Sequence, residues 1–95
     1  MTHHEKRITW DAAKNQLNTK KHRISFEEAA TVFYDPLSLT VDDPEHSVDE
    51  QRLHIIGRSS VSRLMVVTFA ESEKDIRIVS ARTPTRSERK HYEES

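Results

Sequence analysis

The sequence predicts an α+β fold with a short N-terminal strand, two helices, a four-stranded antiparallel meander and a C-terminal helix. Apolar residues repeat at helical spacing before Pro36 and at a period of two after it. Residues that commonly cap helices precede each of the three predicted helices. The links between the strands are short, which favours antiparallel neighbours. We therefore expect a single domain over residues 1–95, in which residues 1–7 are flexible.

The first strand and the first two helices are predicted in the N-terminal half. Residues 8–10 are β-prone, and Asp11 can cap a helix that runs to about His22. Residues 25–28 match a capping box, in which the first side chain accepts a backbone hydrogen bond and the glutamate three positions later reaches back. Pro36 ends this second helix, because the residue before a proline avoids helical geometry.

The four strands of the meander are predicted from alternating apolar residues. They cover residues 37–41, 52–58, 62–70 and 76–82. Residues 64–67 are all apolar, which indicates that the third of these strands is buried on both faces and is therefore central. A second capping box, at residues 85–88, begins the last helix.

The second strand of the meander has a polar side. Arg52, His54, Ile56 and Arg58 alternate onto one face, and Arg63 lies just before the next strand. We expect one face of the sheet to be apolar beneath helices and the other to be basic. That arrangement suits an open groove for a phosphate chain, but it equally suits any half-solvated antiparallel sheet.

Composition limits the classes of function. Only 34% of the residues are apolar and 33% are charged, so the core is small. The absence of cysteine excludes a disulfide framework and a thiolate zinc site. The six histidines lack the spacing of a metal motif, and the single glycine leaves no Gly-rich phosphate loop. We expect no metal and no cofactor.

The sequence shows no pattern typical of a membrane span or a secretory signal. The apolar runs are far shorter than the ~20 residues that a membrane span needs. The N-terminus lacks the apolar stretch of a secretory signal. We therefore expect a cytoplasmic protein that does not associate with membranes.

Positive charge is concentrated near the C-terminus, although the whole chain has a formal net charge of −1. The stretch from residue 74 to residue 91 contains six Lys or Arg residues, including Arg77, and two acids. A local excess of cations in a chain that is nearly neutral favours one anion-binding surface. The best candidate ligand is a nucleic-acid backbone.

Four residues of this stretch are the main candidates. Arg82 ends a strand, where its side chain can extend beyond the sheet, and Arg86 lies in the first turn of a helix, whose N–H groups favour an anion. Arg89 and Tyr92 share one face of that helix. A solvated basic helix that exchanges salt bridges with the acidic residues 42–50 explains the same spacing equally well.

A second basic cluster closes the first helix. Lys21 and His22 there complement the helix dipole, and this structural role is the simpler interpretation. In the functional alternative, Lys21 binds phosphate and His22 transfers protons, because histidine titrates near neutrality.

With these residue types, RNA cleavage without a metal is chemically possible. The ribose 2′-OH supplies the nucleophile, and arginines can clamp and stabilise the phosphate. A Lys, His or Glu could take the 2′ proton, and another group could protonate the leaving oxygen.

The chain resembles the BrnT-type toxins of bacterial toxin–antitoxin pairs over about residues 8–93. The matching positions are Trp10, Asp11, Lys14, Asn18, Lys21, His22, residues 25–29, Phe33, Asp35, Pro36, Arg52, Ile56, Gly57, residues 78–82, Thr85, Arg86, Glu88, Arg89 and Tyr92. Two positions depart from the family pattern. Arg23 stands where a glycine usually closes the first helix, and Gln51 stands where an acid often precedes the arginine matched by Arg52.

The resemblance implies a RelE-like α+β fold with helices on one face of the sheet, and a ribonuclease toxin that blocks translation by cutting RNA. It also implies a BrnA-type antitoxin partner with a ribbon-helix-helix domain, a heterotetramer, and contact with operon DNA only through the antitoxin. By the same resemblance the active site contains Arg58, Arg82 and Arg86, and further Arg52, Lys21 and His22. We expect Arg58, Arg82, Arg86 and His22 to be catalytic, and Lys21, Arg52, Arg63, Arg77, Arg89 and Tyr92 to bind RNA.

A catalytically silent module that binds nucleic acid or an antitoxin remains an alternative. It predicts salt-sensitive RNA binding without cleavage. The residues alone do not separate these two hypotheses. A purely structural subunit would leave the basic cluster unexplained.

Overall fold

The fold was established from a computed structural model that describes residues 6–43 and 51–95. It is α+β, as predicted. The strands are β1 (Arg7–Trp10), β2 (Leu39–Asp42), β3 (Arg52–Arg58), β4 (Leu64–Glu71) and β5 (Asp75–Arg82), and the helices are α1 (Ala12–His22), α2 (Phe26–Ala30) and α3 (Arg86–Glu94). A 3-10 turn at Thr31–Tyr34 continues α2. The predictions for residues 1–7 and 42–50 fall largely on positions 1–5 and 44–50, outside the described residues.

The sheet has five strands in the order β1-β5-β4-β3-β2. β2 to β5 form the predicted antiparallel meander. β1 lies parallel to β5, with Ile8 opposite Ile76 and Trp10 opposite Ile78. The short N-terminal strand therefore extends the meander at its β5 edge, beside the strand that leads to the C-terminal helix.

The main core lies between the sheet and the helices α1 and α2. Fully buried side chains from α2, β3, β4 and β5 meet there, and the rings of Phe33 and Phe69 pack edge to face with centroids 5.0 Å apart. α1 is attached by a polar contact instead of an apolar stripe. The buried Asn18 side chain donates to the carbonyls of Ile24 and Ala81, at 3.0 and 2.9 Å, and accepts from the Ala81 N–H at 3.1 Å.

A second, smaller apolar cluster lies on the opposite face of the sheet. Tyr92 of α3 packs there with Ile56, Leu64 and Val66. The structure therefore corrects the expectation that all helices cover one face: α1 and α2 cover one face, and α3 covers part of the other. α3 packs through Tyr92 because the tyrosine ring is the only large apolar group on this otherwise polar and charged helix.

The predicted caps form, with one difference. Asp11 Oδ1 accepts from the Lys14 N–H at 3.0 Å, and Ser25 Oγ accepts from the Glu28 N–H at 3.1 Å. The carboxylate of Glu28 does not return to the backbone of Ser25. It accepts a hydrogen bond from Ser59 Oγ at 2.7 Å and pairs with Arg63 instead, so this capping box is only half formed.

Arg23 adopts the conformation that a glycine would take after α1. Its φ and ψ are 59° and 32°, in the left-handed region, and its N–H donates to the Thr19 carbonyl at 2.9 Å. Arg23 therefore closes α1 in the left-handed conformation expected for a glycine, at the steric cost of a side chain in that conformation.

Gly57 allows a close approach between β3 and the segment that follows the 3-10 turn. A Cβ at this position would lie 2.9 Å from Val32 Cγ1 and 3.1 Å from Asp35 Oδ2, so that a neighbour would have to move. The close approach lets Asp35 Oδ2 accept from the Arg58 N–H at 2.8 Å and from the Tyr92 hydroxyl at 2.7 Å. The only glycine in the chain thus positions the carboxylate that anchors α3.

Candidate functional site

One end of the second sheet face carries polar side chains. α3 packs at the end that contains Ile56 and Leu64, and the other end we call the open face. Because successive strand residues point to opposite sides and Ile55 and Ile78 point into the main core, their neighbours point away from it. The open face consists of Arg7, Thr9, Val41, Arg52, His54, Thr68, Ala70, Asp75, Arg77 and Ser80.

Two arginines of the open face flank a small residue. Arg52 on β3 and Arg77 on β5 are both opposite Ala70 on β4. Their Cα atoms are therefore about 10 Å apart, two strand spacings, and Ala70 on β4 lies between these two half-buried residues. Two guanidinium groups on either side of a gap can grip one phosphate from both sides. A pocket of about 190 Å³ adjoins Arg77 and Ala70, and its lining also includes Thr9, Gln51 and the acids Glu71 and Asp75.

The acids at this edge of the sheet have cationic partners on the N-terminal segment. Lys6 Nζ lies 2.8 Å from Glu71 Oε2, and Arg7 Nε lies 3.0 Å from Asp75 Oδ1. These pairs offset the negative charge next to the open face.

His54 lies in the row next to the two arginines. Its Nδ1 is 2.8 Å from the hydroxyl of Thr68, and its Nε2 is 3.5 Å from Oδ1 of Asp43. The Asp43 side chain is only 5% exposed, whereas that of His54 is 22% exposed. The buried carboxylate of Asp43 just after β2, the imidazole of His54 on β3 and the hydroxyl of Thr68 on β4 thus form a row across the sheet.

Arg82 is engaged by a carboxylate of α3. Its two terminal nitrogens donate to the two oxygens of Glu88 at 2.8 and 3.0 Å, and Glu88 Oε1 also accepts from the Thr85 N–H at 2.8 Å. The hydrogen bonds from Arg82 and from the Thr85 N–H outweigh burial and hold the pKa of Glu88 at about 2. The pair fixes the start of α3 against the end of β5.

Arg58 and Tyr92 form a cluster with Asp35. The guanidinium of Arg58 lies 5.8 Å from the centre of the Tyr92 ring, and its Nη1 donates to the Ser62 carbonyl at 3.1 Å. Burial, followed by the hydrogen bond to Asp35, raises the pKa of the Tyr92 hydroxyl. Burial would raise the pKa of Asp35, but hydrogen bonds from the Arg58 N–H and the Tyr92 hydroxyl hold it below its ordinary value.

The remaining predicted residues lie apart from the open face. Arg63 pairs with Glu28, and this contact lowers the pKa of the Glu28 carboxyl. Exposed Arg86 begins α3 and has no side-chain partner among the described residues, whereas Arg89 lies 3.9 Å from Glu93 one turn later. Exposed Lys21 and half-buried His22 end α1, which packs on the other face of the sheet.

The predicted residues are therefore distributed over four places. Arg52 and Arg77 meet on the open face, and Arg82 lies on the same face about 13 Å further along the sheet, four residues of β4 away. Arg58, Arg86, Arg89 and Tyr92 surround α3, Arg63 is bound to α2, and Lys21 and His22 belong to α1. The roles assigned to them remain predictions.

His54 was not among the functional residues predicted from the sequence. The alternation of β3 placed it on the polar face beside Arg52, which was the available signal. Its partner Asp43 follows a different strand, and the register between β2 and β3 cannot be predicted from either segment alone.

No helix among residues 6–43 and 51–95 is long and apolar enough to cross a membrane.

Fold and site together define a class: a small α+β protein with one twisted sheet, one face of which is cationic and suited to a polyanionic ligand. The family described as "Ribonuclease toxin, BrnT, of type II toxin-antitoxin system" matches residues 10–88, and the chain belongs to this family. Membership implies an RNA substrate and an antitoxin partner.

A solved structure supports the same assignment. The chain is similar to the ribonuclease toxin BrnT of Brucella abortus, whose crystal structure was determined at 1.1 Å. The two share 27% sequence identity with a TM-score of 0.65, over 85% of this chain and 99% of the Brucella chain. Among curated proteins, none matches this chain.

Proposed function

We propose that this protein is a metal-independent endoribonuclease toxin that inhibits translation by cleaving RNA on its open face. The placement of Arg52 and Arg77 on either side of Ala70 is the observation that carries this proposal. Two cations from separate strands, held by a rigid sheet, present donors at fixed positions toward a phosphodiester. Such preorganised donors are the main source of stabilisation for a developing negative charge.

The chemistry uses the substrate's own nucleophile. The ribose 2′ oxygen attacks the adjacent phosphorus and the bond to the 5′ oxygen breaks, which leaves a 2′,3′-cyclic phosphate and a 5′-hydroxyl. The two arginines stabilise the phosphorane between these states. DNA lacks the 2′-OH and is therefore not a substrate.

The partner in this proposal is a small ribbon-helix-helix antitoxin that forms a heterotetramer with the toxin in the cytoplasm. An acidic or aromatic segment of the antitoxin would neutralise the open face by electrostatic complementarity. The toxin would then reach operator DNA only through the antitoxin.

The test is incubation of the purified protein with single-stranded RNA in EDTA. Arg52→Ala and Arg77→Ala are each expected to slow cleavage by roughly 10²–10³-fold, the usual cost of removing one transition-state donor. Lys14→Ala is the matched control, because it removes an exposed cation from α1 on the other side of the sheet. Equal cleavage by all four proteins, or cleavage that requires a divalent metal, would contradict the proposal.

A second candidate function is the catalytically silent module. The bidentate Arg82–Glu88 pair favours it, because one predicted catalytic arginine is already neutralised within the fold. This candidate predicts that the RNA stays intact in the same incubation while binding persists.

A further inference from the structure

We propose that His54 is the general base of this cleavage and that Asp43 is the residue that positions it. This inference rests on the proposed function and adds to it the group that removes the 2′ proton. The roles of His54 and Asp43 do not depend on the placement of the arginines, so this inference and the proposed function can be tested separately.

The contacts of His54 favour the tautomer that carries its proton on Nε2. An ionised carboxylate has only acceptor atoms, so Nε2, which faces Asp43 at 3.5 Å, bears the hydrogen. Nδ1 is then unprotonated and accepts the hydroxyl hydrogen of Thr68 across 2.8 Å. A carboxylate that orients an imidazole, whose other nitrogen faces a hydroxyl, is the arrangement that activates oxygen nucleophiles.

The Thr68 hydroxyl marks where a substrate hydroxyl would lie. Thr68 itself is only 7% exposed, so its oxygen is a poor nucleophile toward a polymer. A ribose that enters over the open face can present its 2′-OH to the same nitrogen, since His54 is more exposed than Thr68.

The sheet register brings base and phosphate clamp together. His54, Thr68 and Ser80 form one row across β3, β4 and β5, and Arg52, Ala70 and Arg77 form the next row. Rows on one face are about 7 Å apart, two residues along a strand. The side chains of neighbouring rows can reach across this separation, so a phosphate held by the arginines places the adjacent sugar within reach of His54.

The charged groups around His54 are consistent with this role. Asp43 faces it from the end of β2, uncharged Thr68 and Ser80 extend away from it on β4 and β5, and Arg52 lies two residues along on β3. Arg77 is the next cation beyond Ala70. The imidazole thus lies between one carboxylate and two guanidinium groups that bind the scissile phosphate.

The step is balanced within these groups and water. His54 Nδ1 takes the proton from the 2′-OH while O2′ bonds to phosphorus. The bond from phosphorus to O5′ breaks, and the leaving 5′ oxygen takes a proton from water. The resulting hydroxide and the imidazolium proton recombine, which returns His54 to its starting state.

The experiment compares RNA cleavage by wild type, His54→Ala and the control His91→Ala, whose imidazole is exposed on α3. Loss of a general base is expected to slow cleavage by roughly 10²-fold or more. Free imidazole should restore cleavage to His54→Ala in a concentration-dependent way, and it should not restore Arg77→Ala. His54→Asn, which keeps a polar side chain on β3, replaces the alanine variant if that one does not fold.

Asp43 is tested by kinetics. Asp43→Asn should lower kcat and leave KM unchanged, because it disturbs the orientation of the base without removing a contact to RNA, and Asp43→Glu should recover part of the rate. A fall in thermal stability with kcat retained would instead identify Asp43 as a purely structural residue and would overturn its role.

The outcomes separate the two proposals. If wild type does not cleave RNA, the proposed function fails. If wild type cleaves and His54→Ala cleaves equally well, or if folded His54→Ala is slow and imidazole does not restore it, His54 is not the base and the arginine site remains.

Discussion

Arg23 illustrates how one residue can keep a turn that its side chain disfavours. The residue closes α1 in a left-handed conformation and still donates to the Thr19 carbonyl. For a residue with a Cβ, this conformation costs roughly 1–2 kcal/mol. The cost is accepted here because Ile24 and Ser25 must turn back toward the sheet, where Ile24 is completely buried.

Arg23→Gly should therefore be more stable than Arg23→Ala by roughly 1 kcal/mol, since both lose the cation and only glycine relieves the left-handed strain. Thermal and urea unfolding of the two variants measure this difference. Alanine as the control removes the effect of charge at the helix end. Equal stability of the two variants would show that the turn is not strained.

Single residues also show how far the sequence could predict the site. The identity and local placement of Arg82 and Glu88 followed from strand alternation and the capping box, because both depend on neighbours within four positions. Their bidentate pairing did not follow, because it depends on the angle at which α3 leaves β5. The pair of His54 with Asp43 was equally hidden, since it depends on the register between two strands.

At the scale of elements, α3 is held by three attachments. The Tyr92 ring packs against the sheet, its hydroxyl donates to Asp35, and Glu88 binds Arg82. Only the last is an ion pair, and both of its members are about a quarter to a third exposed. The start of α3 therefore depends on pH through Glu88, whose pKa is about 2, and the bond from Tyr92 depends on pH as well, because the pKa of Asp35 is also lowered.

Stability should fall as the pH drops from about 4.5 toward about 2. The pKa of Glu88 is lowered from 4.5 to about 2 in the folded protein, so the unfolded chain binds the proton first. Glu88→Gln should cost roughly 1–2 kcal/mol at neutral pH, a value reduced for partial exposure, and the difference from wild type should shrink in acid.

Thermal unfolding across this pH range provides the measurement. Glu93→Gln is the control, because Glu93 lies 3.9 Å from Arg89 in a largely exposed pair on the same helix. If Glu88→Gln and Glu93→Gln lose the same small amount at every pH, Glu88 does not fasten α3.

The elements themselves were largely predictable, and their packing was less so. Caps at Asp11, Ser25 and Thr85 and the change of period at Pro36 are local features, and they placed all three helices and the meander. The parallel pairing of β1 with β5 joins residues more than 65 positions apart. No local pattern specifies such a pairing, and none specified which sheet face α3 would cover.

For the whole molecule, the separation of charge matters more than its sum. The net charge is −1, yet Arg52 and Arg77 stand together on the open face while Glu71 and Asp75 are paired with Lys6 and Arg7. A polyanion approaching this face meets cations at close range, although the protein as a whole does not attract it.

RNA binding should consequently weaken as the salt concentration rises. Arg52 and Arg77 should account for a measurable part of this salt dependence. The double variant Arg52→Ala/Arg77→Ala should flatten the dependence of log K on log salt by roughly 1.4, about 0.7 for each phosphate contact to a single strand. Lys14→Ala/Lys20→Ala removes the same charge from α1 and should leave the slope nearly unchanged. Filter binding to an RNA strand made non-cleavable by 2′-O-methylation measures both slopes, and equal slopes would place the RNA elsewhere.

The adjacency of the first and last strands bears on how this protein is made. β1 emerges from the ribosome early and finds its neighbour only after residues 75–82 have been translated. One wall of the open face, with Arg77, is delivered by that late segment. A nascent chain that lacks residues 75–82 therefore has no assembled open face, and the cleavage proposed for that face requires this segment to be in place.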